Sequence, residues 1–226
     1  MKAPIAIDRR KIAAVFVDLQ EEHRQDSRYL VDRFDAILAN VRMIQEAARR
    51  NGVMLYHFAY VVDPTDANDT FHPKMPDGTA IFSNNGHPWT EVCPEVAPTK
   101  GERLLTKTEA SAFGAASPAG ELRQRGVEWV LVAGVWTEAC IDATVKDAIR
   151  AGFRVLLVKD ACGSGTQAMH ETAMLNLANR LYGGAVTDTI GACRLLDGSA
   201  VNVWMVEGST PLRFTYHNAS TLFAEL

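Results

Sequence analysis

The 226-residue sequence has no apolar run long enough to cross a bilayer: its longest, such as Trp129 to Val135, fall far short of the roughly 20 residues a spanning helix needs. It has no arginine and lysine cluster of the kind that neutralises phosphates. With 23 basic against 27 acidic residues its formal net charge is -4, so neither a nucleic acid nor a membrane is the expected partner. No Pro/Ser/Gly linker interrupts the pattern, no segment repeats, and none is of low complexity, so one domain over residues 1–226 is expected. The cysteines, Cys93, Cys140, Cys162 and Cys193, stand far apart with no CxxC pair and no histidine at ligand spacing. That excludes a zinc knuckle and a disulfide framework, and no metal or cofactor is expected. The first apolar stretch of MKAPIAIDRRKIAAVFVDLQ is too short for a signal peptide and both of its stretches are followed by charge, which points to a cytoplasmic protein. What is present, 47% hydrophobic and 22% charged residues, excludes intrinsic disorder.

Ile12 to Val17, Val53 to Val62, Trp129 to Val135 and Phe153 to Val158 are short apolar runs bounded by turn residues, the pattern of strands buried on both faces. Between them lie amphipathic stretches, roughly Leu30 to Arg50, Pro118 to Arg125, Glu138 to Arg150 and Thr166 to Tyr182. Gly52, Gly126, Gly152 and Gly183 follow as candidate helix terminators. Strand, helix, glycine, strand is the order of βαβ units. With Leu104 to Thr106 and Ala185 to Thr187 added, it predicts an α/β fold, a three-layer αβα sandwich on a mostly parallel sheet of about six strands. Pro64 to Thr99 breaks the rhythm with proline, asparagine, aspartate and glycine, as a lid or binding loop does. The tail from Ser199 to Leu226 carries a strand-like VNVWMV, a turn at Gly208 to Pro211, a strand-like LRFTY and a short terminal helix. Its apolar content predicts that it docks on something, a neighbouring subunit of a homo-oligomer (dimer or tetramer) being one choice.

In open parallel sheets ligands bind outside the carboxyl ends of the strands. There stand Asp18 after AAVFV, Lys107 after RLLT and Cys140 just past WVLVAGVWTEA, an acid, a cation and a thiol that together form a candidate nucleophilic site. Each alone has an ordinary alternative, as a turn cap, a solvated lysine or a small core residue. Thr137 is placed to cap a helix beginning at about Glu138, which would set Cys140 in the first turn, where the helix dipole lowers a thiol pKa. Cys162 follows a strand without such an acid and cation, Cys93 lies in the irregular loop and Cys193 in a late helix. Gly163-Ser164-Gly165 suggests a nucleotide loop, but Ala168 occupies the third glycine position. A serine-hydrolase elbow would need glycine where Cys162 stands.

FVDLQ at Phe16 to Gln20, LLTKTEASAF at Leu104 to Phe113 and LVAGVWTEACIDATVKDA at Leu131 to Ala148 resemble the three signature segments of the isochorismatase-like cysteine hydrolases. KDACGSGT at Lys159 to Thr166, followed by His170, resembles the strand and helix that come next in that family. The resemblance runs from about Ile12 to Ile190 and implies a six-stranded parallel sheet covered by helices. By position, Asp18 matches the family's catalytic aspartate, Lys107 its lysine and Cys140 its nucleophile. The family's non-proline cis peptide corresponds to the Val135–Trp136 bond, which aims the N–H groups of Trp136 and Cys140 at an oxyanion.

The resemblance implies a hydrolase of C–N bonds in small linear amides or ureides, working through a thioester and releasing ammonia or an amine. The family's metal-holding nicotinamidases have an Asp-x-His segment with a second histidine. Here HFAYVVDPTDAND leaves His57 alone and Asp63 without its histidine, and Cys140 argues against vinyl-ether cleavage. The expected substrate is therefore a biuret-like, carbamoyl or ureido compound. Maleamate, nicotinamide, or a catalytically idle member acting as a binding protein are the alternatives. His23 at the pocket mouth, the Trp136 indole and Gln167 are candidate substrate contacts, each with a structural alternative. His170 reads as a structural hydrogen-bonding histidine.

Overall fold

Every second residue of Ile12–Val17 packs into one of two separate hydrophobic clusters: Ile12, Ala14 and Phe16 into the first, Ala13, Val15 and Val17 into the second. A strand buried this way is the centre of a sheet clothed on both faces, because its side chains alternate with period two. The computed structural model describes residues 1–66, 71–208 and 210–226. The strands are β1 (Lys2–Ile5), β2 (Ile12–Val17), β3 (Met54–Tyr60), β4 (Arg103–Lys107), β5 (Trp129–Val135), β6 (Arg154–Gly163), β7 (Ala185–Thr187) and β8 (Val201–Trp204). They form one sheet in the order β1-β8-β7-β6-β5-β2-β3-β4.

The six expected strands are β2 to β7, and every pairing among them is parallel. The sheet nevertheless has eight strands, because β8 runs antiparallel to β7 and β1 runs antiparallel to β8. Of these four-residue additions, β8 lies within the strand-like VNVWMV of the tail, whereas β1 has no buried residue to mark it. The outermost, β1, contains Pro4, which an edge strand accommodates because one side of its backbone needs no partner. LRFTY is not a strand. Both flanks of β8 are taken, and the Leu212 backbone N–H and C=O bond the Asn179 side chain at 2.7 and 3.1 Å.

Helices α2 (Phe34–Arg50) and α6 (Thr189–Leu196) cover one face, while α3 (Ala119–Gln124), α4 (Asp142–Arg150), α5 (Gln167–Ala178) and α7 (Ala219–Glu225) cover the other. A short α1 (Glu22–Gln25) follows β2. Helices α2, α3 and α4 each end on a glycine of positive φ, Gly52 (67°), Gly126 (73°) and Gly152 (93°). In each, the next residue's N–H reaches back to a helix carbonyl (Val53 to Ala48, Val127 to Leu122, Phe153 to Ala148), which turns the chain directly into or beside the next strand. Gly183 plays a different part, because α5 stops at Ala178 and a further turn intervenes. The tail docks on its own chain: β8 joins the sheet and Phe223 of α7 stacks edge-on against His170 of α5. The expected turn at Gly208 to Pro211 includes residue 209, which lies outside the described residues. No helix among the described residues is long and apolar enough to cross a membrane.

Candidate active site

From β2 the chain moves outward through β3 and β4, then returns to the other side of β2 for β5 and continues to β6 and β7. The loops leaving β2 and β5 therefore diverge and open a crevice beyond their carboxyl ends, the usual ligand site of such sheets. Asp18 is the first residue past β2 and Lys107 is the last of β4, while Cys140 follows β5. Backbone contact at the switch point is close. A β-carbon on Gly134 would fall 2.1 Å from the Val17 carbonyl oxygen, so only glycine fits there, at φ 131°.

Asp18 takes a left-handed φ of 53° and donates its N–H to the Phe58 carbonyl at 2.9 Å. Its residue exposure is 3% and that of Lys107 is 4%, so the pair is almost dry. Lys107 Nζ donates to Asp18 Oδ2 at 2.8 Å and to the Glu109 backbone carbonyl at 3.2 Å, and lies 4.5 Å from the centre of the Tyr60 ring. Asp18 Oδ1 is buried without a hydrogen-bond partner, and the half-buried Cys140 thiol interacts with both the Asp18 carboxylate and the Lys107 ammonium. Burial, the largest effect, pushes the Asp18 carboxyl above its ordinary range against the opposing pull of Lys107. Burial and then the Asp18 charge push the Cys140 thiol up as well.

That last direction corrects the expectation of a thiol acidified by a helix N-terminus. Thr137 does not cap a helix. Its hydroxyl donates to the Gly163 carbonyl at 2.9 Å and pairs with His170 Nδ1 at 2.8 Å, while Thr137–Ile141 forms a π-type turn ahead of α4. The Trp136 carbonyl accepts from both Ala139 and Ile141, and the Val135–Trp136 peptide is cis. The Trp136 backbone N–H donates to no acceptor among the described residues.

His23 is buried on α1. The Trp136 indole N–H donates to its Nδ1 at 3.3 Å, its ring meets those of Trp136 and Phe34 edge-on, and its Nε2 is buried without a hydrogen-bond partner. Burial pushes its pKa down to about 4. Of the three candidate substrate contacts, His23 and Trp136 are thus brought beside the Asp18 turn. Gln167 is not: its amide donates to Glu171 at 2.8 Å, and it lines a separate cleft of about 210 Å³ between α2 and α5. His57 pairs with Glu102 at 2.9 Å rather than with a second histidine, and Asp63 accepts from Thr65. Residues 67–69, the end of that stretch, lie outside the described residues. Glu21, Cys93 and Glu95 have metal-ligating atoms close together, but the Arg24 guanidinium already pairs with both carboxylates.

Sequence reasoning missed Gln20 and Tyr60. Gln20 is fully buried; its side chain accepts from the Tyr60 N–H at 2.8 Å and donates to the Tyr60 and Thr90 carbonyls at 2.9 and 2.8 Å. Its place in FVDLQ, two residues past the acid, was the available signal. Residues 71–99 of the expected lid, 64–99, lie against this segment. Cys93 donates to Leu19, Ser83 donates through N–H and hydroxyl to the Glu22 carboxylate at 3.0 and 2.5 Å, and Phe82 packs on Tyr29 and Tyr60.

The family model of the isochorismatase domain matches residues 13–190. A maleamate amidohydrolase of Pseudomonas putida is 39% identical over 102 residues, 45% of this chain and 47% of that protein, so the match spans about half of that relative. An N-carbamoylsarcosine amidase of an Arthrobacter species is 26% identical over 79% of this chain and 69% of its own length. Among solved structures, a cysteine hydrolase from Pseudomonas syringae pv. phaseolicola superposes with a TM-score of 0.76 at 21% identity, covering 87% of this chain and 97% of the other. That likeness speaks to the fold.

Proposed function

The chain belongs to the isochorismatase family, and on that footing we propose that it is a cysteine-dependent amidohydrolase cleaving a C–N bond of a small linear amide or ureide. The observation that carries the reading is the dry Asp18–Lys107 pair, joined at 2.8 Å and in contact with the Cys140 thiol beyond the sheet's switch point. Because the resting thiol is held protonated, a base must act as it attacks. Asp18 has a free buried oxygen for that proton, and Lys107 offsets the negative charge left behind. The S–C bond forms at the amide carbonyl as the thiol proton passes to Asp18, and the tetrahedral oxyanion is met by the backbone N–H groups of Trp136 and Cys140. Asp18 returns the proton to the leaving nitrogen as the C–N bond breaks, expelling ammonia or an amine. Water, deprotonated by the same carboxylate, then attacks the thioester; the acid is released and the Cys140 thiol restored.

His23 and the Trp136 indole form the proposed wall of the substrate pocket, and segment 71–99 its lid. The two amidohydrolase relatives carry names that specify maleamate and N-carbamoylsarcosine, a linear amide and a ureide, which supports carbamoyl, ureido or amide substrates of that size. An ammonia-release screen over biuret, N-carbamoyl amino acids, ureidoacrylate, maleamate and nicotinamide tests the reading. Release from at least one of the linear compounds is expected. Silence across the whole panel would remove it and leave the alternative of a binding protein.

A further inference from the structure

Tyr60 and Lys107 are register partners on the parallel strands β3 and β4, so their side chains rise from adjacent backbone positions at the end of the sheet that holds the site. The Tyr60 ring presents its face to the Lys107 ammonium at 4.5 Å. Nζ has two oxygen acceptors, Asp18 Oδ2 and the Glu109 carbonyl, and its side chain is fully shielded from water. Its remaining polar neighbour is the Cys140 thiol, so a cation taken out of water has few groups to offset its charge. A ring face supplies negative quadrupolar potential there, an interaction strongest where water is excluded.

The ring is held at both ends. Its backbone N–H and C=O are bonded by Gln20, and its hydroxyl donates to the Thr108 carbonyl at 2.8 Å. That carbonyl belongs to the residue after Lys107, so the tyrosine spans the lysine and fastens the backbone beyond it. Because its one proton goes to Thr108, the hydroxyl must accept from His72 Nε2 at 2.6 Å. Phe82 packs against both Tyr60 and His72, so two residues of the long loop seat the ring.

We infer that Tyr60 is a positioning residue, its ring face holding the Lys107 ammonium charged and aimed at Asp18 and Cys140. The inference rests on the proposed role of Lys107, but its test separates the two. The rate of Cys140 alkylation by iodoacetamide reads the thiol's surroundings without any substrate, and kcat and KM for an amide of the panel read turnover. Tyr60→Leu removes the ring, and both alkylation and kcat are expected to fall about tenfold, with KM changed by less than about threefold. Tyr60→Phe keeps the ring and drops the hydroxyl bonds, and both rates should return to within about threefold of the parent. Unchanged alkylation in a folded Tyr60→Leu protein would overturn the inference, as would a Tyr60→Phe protein as impaired as Tyr60→Leu, which would assign the effect to the hydroxyl. If no amide is turned over but alkylation follows this pattern, the inference about Tyr60 stands and the reaction class falls.

Discussion

Two buried atoms in the crevice have no hydrogen-bond partner, Asp18 Oδ1 and His23 Nε2, and each such atom costs about 1 to 3 kcal/mol unless something occupies it. His23 Nδ1 stands 3.3 Å from the Trp136 indole N–H, which only donates, and 3.3 Å from the Tyr29 carbonyl, which only accepts, so each tautomer of the neutral ring satisfies one of the two neighbours. With the folded pKa pushed down to about 4, His23 stays neutral where a free imidazole would charge. As pH falls below the unfolded value near 6.5 the unfolded chain binds a proton that the folded chain refuses, so this residue costs stability progressively down to about pH 4 and nothing above pH 7. Nitrogen-15 NMR should therefore show a neutral imidazole at pH 6, and the stability of His23→Gln relative to the parent should rise between pH 7 and 4. An imidazolium signal at pH 6 would contradict the depressed pKa. At this level the sequence was legible in the placement of Asp18, Lys107 and Cys140, which the sheet brings together as their positions at strand ends predicted. Gln20 and Tyr60 were not legible, because what they do depends on partners distant in sequence. Thr137 misled for the same reason, its hydroxyl being captured by Gly163 and His170.

The connection between β2 and β5 is tight because Gly134 lets Val17 approach, and β5 could not carry a side chain at that point without pushing Asp18 out of place. Gly134→Ala is expected to destabilise the protein by about 1 to 3 kcal/mol from backbone conformation alone, with a further cost from the clash. Urea unfolding measures it, and a midpoint equal to the parent's would show that the strands separate freely. Strands β2 to β7 and helices α2 to α5 were readable because both kinds of element advertise burial through period and end in turn residues. The glycines after α2, α3 and α4 marked their ends to within a residue or two. Strand β8 was readable in the strand-like VNVWMV, whereas β1 and the non-strand LRFTY were not, since a short edge strand is defined by which neighbour is vacant. That vacancy exists only once the rest of the sheet has formed.

Across the whole molecule, the order of the sheet decides where chemistry can happen. Three residues separated by long stretches of chain meet because β2, β4 and β5 all point their carboxyl ends at one crevice, and the reversal between β2 and β5 opens it. The region 71–99 then packs over the turn that carries Asp18, tying the long irregular segment to the site rather than to solvent. The family rests on the match to the isochorismatase domain over residues 13–190, and the central claim is narrower, that the bond-breaking step passes through the Cys140 sulfur. The most direct measurement is ammonia release by purified Cys140→Ala beside the parent, on whichever amide of the panel the parent hydrolyses, with circular dichroism confirming the fold. The account predicts that turnover falls by roughly a thousandfold or more, to background. Retention of a tenth of the parental rate by a folded Cys140→Ala protein would contradict it.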